Sequence, residues 1–369
     1  MQRKTIHRLS VSLSTSLLTC FVCVLLALAV SLSTVACKPG GAGAKPSGPL
    51  VVLEWAGYEQ PVFWKDFAEK YPDVKVEYTF FADDPEAFAK LQSGFKADVV
   101  HPGFSWLQLY VESDMLQPID TSKLSNWSGI MPDLAKMGQI NGKQYLVPWE
   151  WGYDSILVRT DKVKEMPDSW ADLWDPQYAG RVSMFDSAEA AVMIASLVLG
   201  YDAYNLTPEQ MEAVKQKLIE LKSNLLGYWT DYTEVNQQVA SGEVWLAFTW
   251  PDAYAAVSAE GVPVEYITPK EGRLGWVYGF CIPKSAPNPK LAHDYIDAMI
   301  SVESMAEMSN QYAYGAANKE VVSLTDPEWV KLMQLDQPDI IARTVFFQSL
   351  TPEQRKAWTS LWDEVKATQ

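Results

Sequence analysis

Three short segments join a large aromatic ring to a polar or acidic side chain just after an apolar run. They are Trp55-Ala56-Gly57-Tyr58, Phe185-Asp186-Ser187 and Trp250-Pro251-Asp252. A fourth, His101-Pro102-Gly103-Phe104, adds one of the three histidines. Flat rings beside carboxylates support two chemistries. Each ring face attracts an organic cation by roughly 0.5–2 kcal/mol, and a carboxylate pairs with the same cation. The same residue types can stack on sugars while two carboxylates do acid/base work on a glycosidic bond. With 15 Trp, 17 Tyr and 13 Phe in 369 residues, at least half of the Trp should nonetheless be core. Trp64, Trp170, Trp174, Trp329, Trp358 and Trp362 fall at helical or helix-start positions and belong to that group.

Signatures of covalent and metal chemistry are largely missing. There is no G-x-S-x-G, no H-E-x-x-H, no EF-hand loop and no paired C-x-x-C. The run from Gly138 to Gln144 falls one residue short of a phosphate loop and lacks its Ser/Thr, so Asn141-Gly142 reads as a hairpin turn. Beyond the first segment only His101 and His293 remain. His101, at a strand end, is open to a ligand role; His293 reads as helix surface. Neither a metal nor another cofactor is expected, and an enzyme is not.

Strands alternating with helices must hold these residues. Leu50 to Trp55 reads as a buried strand, followed by a helix over 61–71 with Phe63, Phe67 and Tyr71 at spacing four. A second strand follows over 74–80, then a helix over 85–92 and a short strand at 97–100. The alternation resumes at 155–159 and runs through an apolar helix at 188–199 to a strand at 244–249. Surface helices over 210–222 and 351–366 each follow Thr-Pro or start with it. The pattern predicts an α/β fold with a mostly parallel sheet, whose ligands sit beyond the carboxyl ends of strands.

The first residues read as an address. Arg3, Lys4 and Arg8 precede an uncharged stretch from Leu9 to Ala36, an export-signal pattern. It ends in Thr34-Val35-Ala36-Cys37, similar to the bacterial lipobox in which the Cys is acylated. Residues 38–49, rich in Gly, Pro and Ala, read as a flexible tether. Cys20 and Cys23 fall inside the signal, which leaves Cys281 as a lone, buried thiol in the strand-like run 276–283. Formal charge is −16, and removal of residues 1–36 leaves −19. Without a basic stripe such a surface repels nucleic acid.

Further motifs carry a family resemblance. Pro148-Trp149-Glu150-Trp151-Gly152, the run from Ser169 to Gly180 (S-W-A-D-L-W-x-P-x-Y-x-G) and Leu199-Gly200-Tyr201 resemble the spermidine/putrescine receptors of bacterial ABC importers. Ser241-Gly242-Glu243-Val244, Thr249-Trp250 and Pro269-Lys270-Glu271-Gly272 follow in the same order. The resemblance implies a two-lobed periplasmic-binding-protein fold with a hinge and an interlobe ligand cleft. Lobe one would take 50–152 plus 276–315, and lobe two 153–275 plus 316–369.

The resemblance also implies site residues: Trp55 and Tyr58 in the first turn, with Trp250, Trp276 and Tyr314 as rings around an alkyl chain. Gln348 matches a polar contact of the family. The acids depart from the pattern, because Ser187 and Ala190 stand where two family carboxylates belong and Tyr278 where the third does. A buried ammonium without an acceptor costs several kcal/mol, roughly. Asp186, Asp252 or Glu150 must therefore supply the charge if the ligand is a dication.

The expectation is an extracytoplasmic solute-binding lipoprotein, acylated at Cys37. It would bind a polyamine or related organic amine and close on it by hinge motion. Its partners would be the permease and ATPase of an importer, and the membrane through the lipid; a monomer is expected. A carbohydrate-binding or carbohydrate-active lipoprotein is the alternative. Location at the periplasm or the outer face of the envelope follows from signal and anchor.

Overall fold

A computed structural model describes residues 48–337 and 339–368. The expected export signal, the lipid site Cys37 and the tether up to residue 47 lie outside the described residues. The apolar run that follows the Gly/Pro-rich stretch forms β1 (Leu50–Trp55). A short helix α1 (Lys65–Lys70) leads to β2 (Val76–Phe81), and α2 (Asp84–Gln92) leads to β3 (Val99–Val100). The strands pair in parallel in the order β2-β1-β3. Their carboxyl ends thus bring Trp55 and His101 to one edge, where α3 (Phe104–Glu112) starts. The helix read over 61–71 is shorter than its apolar spacing suggests. Trp64 stands at its N-cap and has no side-chain oxygen to take up the first free amides.

After β4 (Leu116–Gln117) and α4 (Pro132–Met137), β5 (Gln139–Ile140) and β6 (Lys143–Gln144) form the hairpin expected at Asn141-Gly142. Both turn residues have positive φ, at 51° and 72°, as a tight turn of this hand requires. The chain then enters β7 (Val147–Arg159), thirteen residues buried along their whole length. Its apolar run is covered on both faces, which explains the lack of polar alternation.

The second α/β series follows: β8 (Val182–Phe185), α5 (Ala188–Leu199), α6 (Pro208–Leu221), β9 (Leu225–Trp229), α7 (Tyr232–Ser241), β10 (Leu246–Thr249), α8 (Pro251–Ala259) and β11 (Val264–Tyr266). Thr207 opens α6 with a reciprocal capping box to Gln210, the Thr-Pro signature of the sequence. Next come β12 (Leu274–Phe280), β13 (Ile282–Pro283), α9 (Pro289–Met299), α10 (Val302–Tyr312) and β14 (Gly315–Ala316). The chain ends through α11 (Pro327–Met333), α12 (Ile340–Arg343), β15 (Val345–Phe346) and α13 (Pro352–Ala367).

The larger sheet runs β15-β12-β7-β10-β8-β9. Its axis is β7, whose first half pairs antiparallel with β12 and whose second half pairs with β10 and β11. After β14 the chain stays close to the first series. Ala317 N donates to Trp149 O at 2.9 Å, Met131 N to Ala317 O at 2.8 Å, and Asp326 N to Asn310 Oδ1 at 2.7 Å.

Three sequence expectations need correction. The larger sheet is mixed rather than mostly parallel, because β7 runs antiparallel to β10, β11, β12 and β14. His293 is buried on α9 rather than exposed, because the face that carries it packs inward. Its Nδ1 meets Pro289 O at 2.7 Å, and its Nε2 accepts from Asp120 N at 3.2 Å, which fits a neutral ring protonated at Nδ1. Trp329 stays partly exposed on α11, whereas Trp170, Trp358 and Trp362 are buried. Cys281 is buried as expected, and no helix among the described residues is long and apolar enough to cross a membrane.

Candidate ligand site

The carboxyl edge of β1 supplies the first rings. The Trp55 indole donates to His101 O at 3.0 Å and packs edge-on against Phe81 and Tyr278, at 4.6 and 5.6 Å between centroids. Tyr58 folds inward and donates its hydroxyl to Glu150 Oε2 at 2.7 Å. Trp276 and Tyr278, two apart on β12, face the same side of the sheet. From Trp276 the rings continue to Tyr314 at 4.8 Å, to Tyr312 at 5.9 Å and to Tyr58 at 5.1 Å. Trp250, the N-cap of α8, packs against Phe185 and Trp229 at 5.2 and 5.1 Å.

Two groups of carboxylates flank these rings. In the first, Asp154 of β7 accepts the Trp276 indole N–H at 2.8 Å. Burial pushes Asp154 well above the ordinary carboxylate range; the indole opposes the shift and nearby Asp252 adds to it. Asp252, in the first turn of α8, is pushed up to about 6 by burial, against the pull of its own and Ala253's amides. Its buried Oδ1 has no partner. Both Asp252 and Asp154 act electrostatically on Tyr314. Neither makes an ion pair among the described residues, so this pair is short of positive charge.

The second group lies beyond Tyr278. Asp84 accepts from Gly103 N at 2.9 Å, with the Tyr278 hydroxyl at 3.4 Å, and burial raises it to about 6. Glu189, in the first turn of α5, is raised to about 7 by burial, with Arg355 lowering it and Asp84 raising it; its buried Oε1 has no partner. Glu150, behind Tyr58, is also raised to about 7 by burial. Burial raises the Tyr278 hydroxyl well above its ordinary value, and Asp84, Glu189, Asp154 and Glu150 each add to the shift. The arrangement can enclose an organic cation between ring faces and carboxylates.

Comparison with known proteins bears on what such a site serves. Residues 63–336 match the family of bacterial extracellular solute-binding proteins. The chain belongs to that family. Among its relatives, the spermidine/putrescine-binding periplasmic protein of Escherichia coli K12 is 28% identical over 290 residues, 78% of this chain and 82% of the relative. The putrescine/cadaverine-binding protein of Pseudomonas aeruginosa is 24% identical over 347 residues, 89% of this chain and 96% of the relative. Similar solved structures include a putative spermidine/putrescine ABC transporter protein from Listeria monocytogenes, with a TM-score of 0.77 at 23% identity over 88% of this chain and all of that one. The TpPotD lipoprotein of Treponema pallidum gives 0.74 at 23% identity, over 86% of this chain and 98% of that one. The fold is thus the two-lobed α/β architecture of periplasmic binding proteins. The protein is an extracytoplasmic solute-binding protein.

The residues expected of this solute-binding protein's site divide. Trp55, Tyr58, Trp276, Tyr278 and Tyr314 join in one chain of rings, and Trp250 and Asp252 stand on the neighbouring strand end and helix start. Asp186 does not join them. Its carboxylate accepts from the Trp362 indole at 2.7 Å and from Lys366 Nζ at 2.9 Å, because α13 covers the end of β8. Ser187 caps α5, accepting from Ala190 N at 3.3 Å. Gln348 is exposed, and its backbone amide donates to the Tyr204 hydroxyl.

His101 is wholly buried, with Nδ1 at 2.6 Å from Glu54 Oε1. Burial alone would lower its pKa, but Glu54 reverses the effect and holds it above the usual value. Its Nε2 is buried without a partner, and no group of metal-ligating side chains forms among the described residues. Sequence reasoning missed Asp84, Asp154 and Tyr312, and it noted Glu189 only as an acid one place off a family carboxylate position. Asp154 did carry a signal, being an acid inside the long apolar run of β7, where a charge needs a reason.

Proposed function

We propose that this solute-binding protein is the receptor of an ABC importer for an organic amine of the polyamine or a related class. The observation that carries the reading is the Asp154/Asp252 pair. Two buried carboxylates beside Trp276 and Tyr314, one with an unpartnered oxygen, have no cation within salt-bridge reach among the described residues. An ammonium or quaternary nitrogen would supply that charge and rest against the rings. Relatives named for spermidine, putrescine and cadaverine support an amine over the carbohydrate alternative.

In this reading the protein performs no catalysis and works by stabilising a closed state on its ligand. It acts as a monomer, anchored at the outer face of the envelope by a lipid on Cys37, and delivers ligand to a separate permease and ATPase. The lobes follow the sequence expectation of 50–152 plus 276–315 and 153–275 plus 316–369, except that 316–326 goes with the first. The hydrogen bonds of Ala317 to Trp149 and Met131 support that shift.

Thermal unfolding with putrescine, spermidine, choline, glycine betaine and neutral sugars tests the function. A ligand at roughly 100 times its Kd adds about 2.7 kcal/mol and raises the midpoint by several degrees. Stabilisation by an amine is the expected result; a response to sugars alone would overturn the reading. Loss of fatty-acid labelling in Cys37→Ser tests the anchor.

A further inference from the structure

The two carboxylate groups flanking the rings differ in one respect. Among the described residues no basic side chain bears on Asp154 or Asp252, whereas Arg355 bears on both Asp84 and Glu189. Arg355 reaches in from α13. Its guanidinium lies 3.8 Å above the centre of the Trp106 ring, and one terminal nitrogen donates to Ser105 O at 3.1 Å. Its buried Nε has no partner, and neither does the buried Glu189 Oε1.

We propose that Arg355 is an internal counter-cation which occupies, electrostatically, the place of a ligand's second positive group and so restricts the site to amines carrying one charge. This rests on the organic-amine function proposed above and narrows its ligand class. The geometry supports it in two ways. First, stacking on Trp106 and the bond to Ser105 O hold the guanidinium where a flexible surface arginine would not stay. Second, Arg355 donates to Ser105 O and Asp84 accepts from Gly103 N, so both are held at the same start of α3, two residues apart. Burial lowers the Arg355 pKa while Glu189 and Asp84 oppose that shift, and Arg355 in turn lowers both acids. A second ammonium placed between Asp84 and Glu189 would meet this fixed positive charge in a water-poor site, where like charges repel strongly. At the Asp154/Asp252 end no such charge stands in the way among the described residues.

Titration calorimetry of the purified protein with butylamine, choline, 1,4-diaminobutane and spermidine tests the proposal. The unmodified protein should bind the diamine no more than about threefold tighter than the monoamine of equal chain length. Arg355→Met keeps the aliphatic stem on Trp106 but removes the charge, and should shift the ratio by about tenfold or more toward the diamine. Arg355→Lys should leave the ratio close to that of the unmodified protein. If Arg355→Met does not fold, Glu189→Gln reads the same point, since an acid already paired internally can be neutralised without selective loss of the diamine. A diamine preference of more than about tenfold in the unmodified protein, unchanged in Arg355→Met or lost in Glu189→Gln, would overturn the inference and leave the amine receptor standing. Binding of no amine at all would instead overturn the proposed function, and the inference with it.

Discussion

Gly152 of β7 stands directly opposite Trp276 of β12 in the antiparallel ladder, and the indole lies flat across the space where a side chain would be. A Cβ built on Gly152 would overlap the six-membered part of that indole. The glycine is therefore what lets Trp276 reach Asp154 with its N–H. Gly152→Ala should fold, because the neighbouring backbone is unstrained, but should displace the indole. Amine affinity should fall by about tenfold or more. Trp276→Leu should show a similar loss, and full binding by Gly152→Ala would disprove the coupling.

Asp252 contributes charge that the ligand-free protein does not compensate. Asp252→Asn keeps the shape and removes the charge. At pH 8 the variant without ligand should be more stable, by about 1 kcal/mol, since a buried carboxylate no longer has to ionise. The stabilisation conferred by an amine should shrink at the same time. Chemical denaturation with and without ligand reads both effects. A variant less stable than the parent, with binding intact, would remove Asp252 from the site.

How far the sequence revealed the site depends on which force placed each residue. Among the rings, Trp55 was legible at a strand end, whereas Trp276 and Tyr314 were reached through the family resemblance alone. The α5 and α13 helices were legible from their polar starts and apolar spacing. The acids were not. Asp186 has the right local setting, but a helix from the far end of the chain, α13, takes up its carboxylate. Asp154 and Glu189 enter the site through β7 pairing and the start of α5, and Arg355 arrives from more than 160 residues away along the chain. Such encounters are tertiary and leave no mark at short range.

Asp186 gives a test of that distinction. Its partners Trp362 and Lys366 belong to α13, so Asp186→Ala should loosen the contact between α13 and β8. Leaving the indole N–H without an acceptor costs about 1–3 kcal/mol, with a smaller share from the half-exposed ion pair. Amine affinity at a temperature where the variant is folded should change by less than about twofold. A large loss of binding without loss of stability would return Asp186 to the ligand.

The pH dependence follows from the sign of the carboxylate shifts. Burial raises Asp84 and Asp252 to about 6 and Glu150 and Glu189 to about 7. Each group holds its proton more tightly in the folded chain than in the unfolded one, where it titrates near about 4. Its contribution to stability is thus complete below about pH 4 and is lost as pH rises through 6 and 7. His101, also raised, acts in the same direction. Exposed acids with lowered values, such as Asp120 and Asp161, act oppositely but at lower pH. The ligand-free protein should accordingly lose stability between about pH 5.5 and 8. An amine remains a cation throughout that window and competes with the protons. Its affinity should therefore climb with pH, by up to about tenfold per unit for each proton displaced. Calorimetry near pH 6 in buffers of different ionisation enthalpy should detect proton release on binding. Equal heats in all buffers, with affinity flat from about pH 5.5 to 8, would mean that the carboxylates are already ionised before the ligand arrives.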